Sequence, residues 1–77
     1  MYKTIETVQR IKNLARQKKI KTTKMLIDCE LNVNTLSSMR VRGSWVQANT
    51  LAKIADYLDC SVDYLLGRTD NPNSHKN

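Results

Sequence analysis

Glycine and proline are scarce in this 77-residue chain, two and one respectively, and no segment alternates apolar and polar residues in the manner of a half-buried strand. A sheet protein is therefore not expected. No apolar run approaches the roughly 18 residues that a membrane-spanning helix needs. The start, Met1-Tyr2-Lys3-Thr4, lacks the apolar core of a signal peptide, so the expected location is the cytoplasm. Two cysteines, Cys29 and Cys60, form no CxxC pair, and the single histidine, His75, lies in a polar tail. That inventory does not assemble a four-ligand zinc site, and neither metal nor cofactor is expected. The thiols read instead as small buried apolar side chains of a reduced compartment. The length allows one domain, expected over residues 1–67, followed by a polar tail over residues 68–77. A domain this small, without staple or metal, relies on efficient helix packing.

What the chain has in excess is positive charge. Thirteen Lys and Arg stand against seven Asp and Glu, a net +6, with an isoelectric point near 9.6. The excess is local. Residues 1–43 hold ten basic and three acidic residues, a net +7, and residues 44–77 hold three and four, a net −1. Such a distribution produces a local field that attracts a polyanion, although a basic solvated face alone is common among soluble domains.

Apolar residues recur at helical spacing. Ile5, Val8, Ile11, Leu14 and Ala15 mark one face from about Thr4 to Lys18. After the basic connector Lys18-Lys19-Ile20-Lys21, Thr22 or Thr23 can cap a short second helix that ends near Glu30, with Met25, Leu26 and Cys29 inward. Asn32 is a suitable cap for a third helix, roughly Val33 to Arg40, with Leu36 and Met39 inward and Gly43-Ser44 interrupting it. A fourth helix, about Gln47 to Leu58, carries Ala48, Leu51, Ile54, Ala55 and Leu58. The capping-box pattern Ser44-Trp45-Val46-Gln47 leaves its start open by a few residues. Ser61 caps a fifth, Val62 to Leu66, with Asp63 in its first turn and Gly67 at its left-handed stop. The expectation is an all-α bundle of five short helices.

The segment Thr22–Arg40 is the most informative. A connection as brief as Glu30-Leu31-Asn32 forces two helices to meet at roughly 90–120°, the geometry of a helix-turn-helix. With Leu36 and Met39 inward, helical spacing turns Asn34, Ser37, Ser38 and Val41 outward, with Val33 on the flank. This outer face is small and uncharged, and Lys21, Lys24, Arg40 and Arg42 flank it. Major-groove entry favours that distribution: an amide pairs with adenine, hydroxyls meet several base edges, and methyls meet the thymine methyl. Flanking cations neutralise phosphates and release counterions. Each Ser or Asn alone is ordinary for an exposed helix; the combination points to duplex DNA.

The chain also resembles the small Cro/C1-type (XRE-like) helix-turn-helix regulators of bacteria and their phages, from Arg10-Ile11-Lys12-Asn13-Leu14 to Gly67. The most specific part is LAKIADYLDCSVDYLLGRTDNP, Leu51 to Pro72, which looks like the family's last two helices. The resemblance implies a lambda-repressor-like five-helix bundle in which the second and third helices form the helix-turn-helix. It places Thr22 where a glutamine usually opens the second helix and touches DNA. Val33, Asn34, Ser37 and Ser38 fall at the base-reading positions, and Leu36 and Met39 at buried ones. Leu26 replaces the usual small residue, which implies a wider helix–helix spacing. Glu30 replaces the turn glycine, where a non-glycine at positive φ is strained. Arg40 stands for a common glutamate, Val46 for a common proline, and the loop to Gly43 is about one residue longer.

These readings converge on a sequence-specific DNA-binding transcriptional regulator, expected to be a repressor and not an enzyme. Val33, Asn34, Ser37 and Ser38 would read bases, Asn34 foremost. Thr22, Thr23, Lys24, Arg40 and Arg42 would hold phosphates. Trp45 reads as packing over the third and fourth helices with its indole N–H near solvent, in preference to a backbone contact through that N–H. Tyr57 and Tyr64 read as part-buried packing residues, and Arg16, Lys18 and Lys19 equally as phosphate contacts or a solvated helix end. Asp56, Asp59 and Asp63 have no neighbouring histidine or nucleophile, so solvation and capping explain them better than acid–base chemistry. The expected partners are a double-stranded operator and a second copy, paired through the C-terminal helices near Val62 and Tyr64, since such repressors read two half-sites. A rival reading is a protein-interaction module, such as an antitoxin-like partner of another protein. A membrane-surface peptide is a poorer one, because the apolar stripes are needed for a core.

Overall fold

A computed structural model describes residues 3–68 of the chain, which form five helices: α1 (Thr4–Gln17), α2 (Thr22–Asp28), α3 (Thr35–Arg42), α4 (Ala48–Tyr57) and α5 (Val62–Leu66). The expected all-α architecture is the observed one among these residues. Of the anticipated tail only Arg68 is among them; His75 and Pro72 lie outside the described residues. No helix is long and apolar enough to cross a membrane among the described residues.

Each helix, or the residue directly after it, supplies a side chain to one core. Ile11, Met25, Ile54, Leu58 and Leu65 retain no exposure, and Met39 of α3 only 1%. Burying such a side chain is worth about 1.5–3 kcal/mol, so α3, with only Leu36 and Met39 inside, is held by two anchors. α1 packs against both α3 and α5, and α4 against α5 and α2. α3 and α2 are thus held on the remainder of the bundle through α1 and α4 respectively.

Two inward assignments are corrected. Ile5 is 54% exposed, and Thr4 and Thr7 are buried in its place. The stripe of α1 is centred near Ile11, and at 100° per residue Ile5 lies about 120° from that centre, whereas both threonines fall within it. The Thr7 hydroxyl is buried without a hydrogen-bond partner. Ala48 is exposed as the first residue of α4, and the apolar stripe of that helix begins at Leu51. Expected starts also move. Lys21 and Gln47 occupy the N-cap positions of α2 and α4 without side-chain capping bonds, so neither Thr22, Thr23 nor Ser44 caps a helix. α2 also stops at Asp28, short of Glu30.

Four helix ends share one backbone device. The N–H of Ile20, Leu31, Cys60 and Arg68 donates to the carbonyl five residues earlier, at 2.8, 2.8, 2.9 and 2.8 Å. In each case the residue before the donor is left-handed: Lys19 (φ 59°), Glu30 (φ 61°), Asp59 (φ 55°) and Gly67 (φ 84°). This is the Schellman closure, which satisfies carbonyls that a helix end leaves open. Three of the four use a residue with a Cβ, where the left-handed conformation costs about 1–2 kcal/mol.

Candidate nucleic-acid interface

The entry to α3 is set by a local competition for backbone bonds. Asn32 Oδ1 accepts from the Asn34 N–H at 2.8 Å, and the Asn32 carbonyl accepts from both the N–H and the hydroxyl of Thr35. These bonds hold residues 32–35 as a turn, which is the reason the helix opens at Thr35 and not at Val33. Val33 and Asn34 therefore stand in the turn that precedes the helix. The other end is also displaced. α3 continues to Arg42 because the stop is Gly43, left-handed at φ 67°, whose N–H donates to the Met39 carbonyl at 3.0 Å.

Val33, Asn34, Ser37 and Val41 are exposed, and Ser38 is half-buried. Val41, 73% exposed, is the most exposed large apolar residue described, one turn beyond Ser37 on the same face. Asn34 makes no capping bond with its side chain, although it occupies the N-cap position. Arg40 and Arg42 are exposed in the last turn, where positive charge suits the helix dipole.

Thr22, Thr23 and Lys24 open α2; the first is half-buried and the other two are exposed. Lys24 Nζ lies 3.4 Å from the Asp28 carboxylate one turn on, and the Tyr57 hydroxyl donates to that carboxylate at 2.6 Å. The Tyr57 bond is the main reason the Asp28 carboxyl stays below its ordinary range, assisted by the Lys24 charge and opposed by partial burial. The same bond raises the Tyr57 hydroxyl above its ordinary range. This link joins α2 to α4. Away from it, burial pushes the Cys60 thiol up to about 11, consistent with a packing role.

Asn34 and Ser38 meet at a cleft of about 390 Å³, with Met39 and Val46 on its apolar side and Trp45 as a wall. Trp45 is 43% exposed, so more than half of it is covered and the rest stays open to solvent at the cleft. Thr22, Thr23 and Lys24 do not line that cleft. The signal for Trp45 was its position two residues beyond the helix-ending Gly43, next to a face already marked as outward.

Two short helices joined across the left-handed Glu30, the second presenting a neutral face to solvent, define a helix-turn-helix domain. The chain belongs to the Cro/C1-type family: its residues 10–71 match the model of the Cro/C1-type helix-turn-helix DNA-binding domain. It is thus a DNA-binding protein of the lambda-repressor-like fold. No curated protein and no solved structure matches the chain.

Proposed function

We propose that this protein is a sequence-specific transcriptional repressor that inserts α3 and its preceding turn into the major groove. The observation that carries this reading is the exposed, uncharged row Asn34, Ser37 and Val41, ending in the cations Arg40 and Arg42. Asn34 pairs with an adenine through its amide, Ser37 and Ser38 reach neighbouring base edges, and Val33 meets a thymine methyl. Thr22, Thr23, Lys24, Arg40 and Arg42 contact phosphates and fix the register. Lys24 exchanges Asp28 for a phosphate on binding, at small cost, because exposed ion pairs are weak. Two copies pair through the C-terminal helices to read two half-sites about 34 Å apart.

Selection of bound duplexes from a random pool tests the reading directly, with a shared motif as the expected result. Asn34→Ala should relax preference at one base pair and cost about 1–3 kcal/mol on the selected site. Arg42→Ala should weaken all duplexes alike and reduce the salt slope by about one unit. If both variants bind as the parent does, α3 is not the docking element.

A further inference from the structure

The cleft beside α3 has a composition that base reading leaves unexplained. Its lining combines the apolar Met39, Val46 and Trp45 with uncharged polar residues that include Asn34, Ser38 and Ser44. No charged side chain lines it. The chain's single tryptophan is 43% exposed there, in the loop that follows Arg42 and Gly43. An indole contributes an apolar face and one N–H donor, with no acceptor. That pair of properties suits a ligand with an apolar ring and an anionic acceptor beside it.

Asn34 and Ser38 belong both to the proposed reading face and to this lining. A duplex whose base edges meet those two side chains brings a strand of its own backbone to the cleft. The deoxyribose supplies the apolar ring and the phosphate the acceptor, and no carboxylate lines the cleft to repel it. We propose that Trp45 and this cleft form a binding site for one deoxyribose-phosphate unit of the DNA backbone. The indole packs on the sugar while its N–H donates to the phosphate, and Ser44 and Val46 hold the ring in place. This site deepens the reading of α3 given above and rests on it.

The contact has a signature that distinguishes it from the arginines. Salt dependence counts phosphates neutralised by cations, and a neutral donor releases no counterion. Trp45→Phe in the full 77-residue protein should therefore weaken every duplex about tenfold or more, tenfold being the lower end of the range for a hydrogen bond to a charged group, with an unchanged salt slope. In the unaltered protein, Trp45 emission should change on titration with duplex and saturate with binding. This second measurement decides the matter even if the phenylalanine variant folds poorly. Equal affinity of a folded Trp45→Phe variant and the parent overturns the site, as does emission that saturating duplex leaves unaltered. Those results leave the reading of α3 standing where the parent binds in a salt-dependent manner. A parent that binds no duplex overturns both.

Discussion

α2 and α5 close through the same pair of backbone hydrogen bonds, yet Glu30 takes the left-handed position in one and Gly67 in the other. Their beginnings differ in the same sense. Ser61 Oγ accepts from the Tyr64 N–H at 3.0 Å to cap α5, whereas α2 begins at Lys21 with no side-chain cap. α5 is thus locally well specified at both ends, and the helix-turn-helix is held by tertiary packing of Met25, Leu26, Leu36 and Met39. The exposed large apolar residues follow the same division. Ile27, Val33, Val41 and Trp45 all lie between residues 27 and 45, and Ile5 is the other one described. Surface of that kind does not help a monomer to fold, and four of these five residues lie in or directly after the helix-turn-helix.

The largest test of this contrast sets a core residue of the scaffold against the outer face of α3. Ile54→Ala should cost about 2–5 kcal/mol in urea denaturation, because a fully buried side chain leaves a cavity. Val41→Ala should stay within about 0.5 kcal/mol of the parent in the same measurement. A large loss at Val41 would mean that the reading face is structural. Next come the helix ends. Ser61→Ala should lower stability by about 1 kcal/mol. Glu30→Gly should raise it by about 0.5–1 kcal/mol, since relief of the left-handed strain exceeds the added entropy of the unfolded chain. A destabilised Glu30→Gly protein would show that the glutamate is favoured there.

The smallest effect concerns the Tyr57–Asp28 link. Asp28 has a depressed pKa in the folded protein, so its contribution is present above the unfolded value, near pH 4, and is lost as pH falls through the folded value. Tyr57 has a raised one, so its contribution is present below about pH 10 and is lost as pH rises through the folded value. Tyr57→Phe should flatten both flanks of the stability–pH profile. Unaltered flanks would assign them to other groups.

Legibility in the sequence followed the same contrast. α5 was readable to the residue, since Ser61 and Gly67 are unambiguous end signals with the observed geometry. The start of α3 was not, because Asn32 bonds to the Asn34 amide and defers the helix, a choice between two local partners that spacing does not register. Ile5 misled because apolar character was counted without locating the centre of the stripe, and Thr4 and Thr7 share that face despite their hydroxyls. For the site, the outward face of α3 followed from Leu36 and Met39. The cleft that Trp45 lines did not, since spacing along the chain does not register a cavity.

The left-handed Gly43 and the turn at Asn32 together set the length of α3 at eight residues, and that length is a ruler. At 1.5 Å per residue it spans about 12 Å, which at 3.4 Å per base pair covers three or four pairs. Four fully specified pairs occur by chance about once in 256 positions, against roughly 10⁶–10⁹ competing sites in a genome. If α3 is the reading element proposed above, one copy of it carries too little information to name a single locus, and the proposed pairing of two copies on one duplex supplies the remainder.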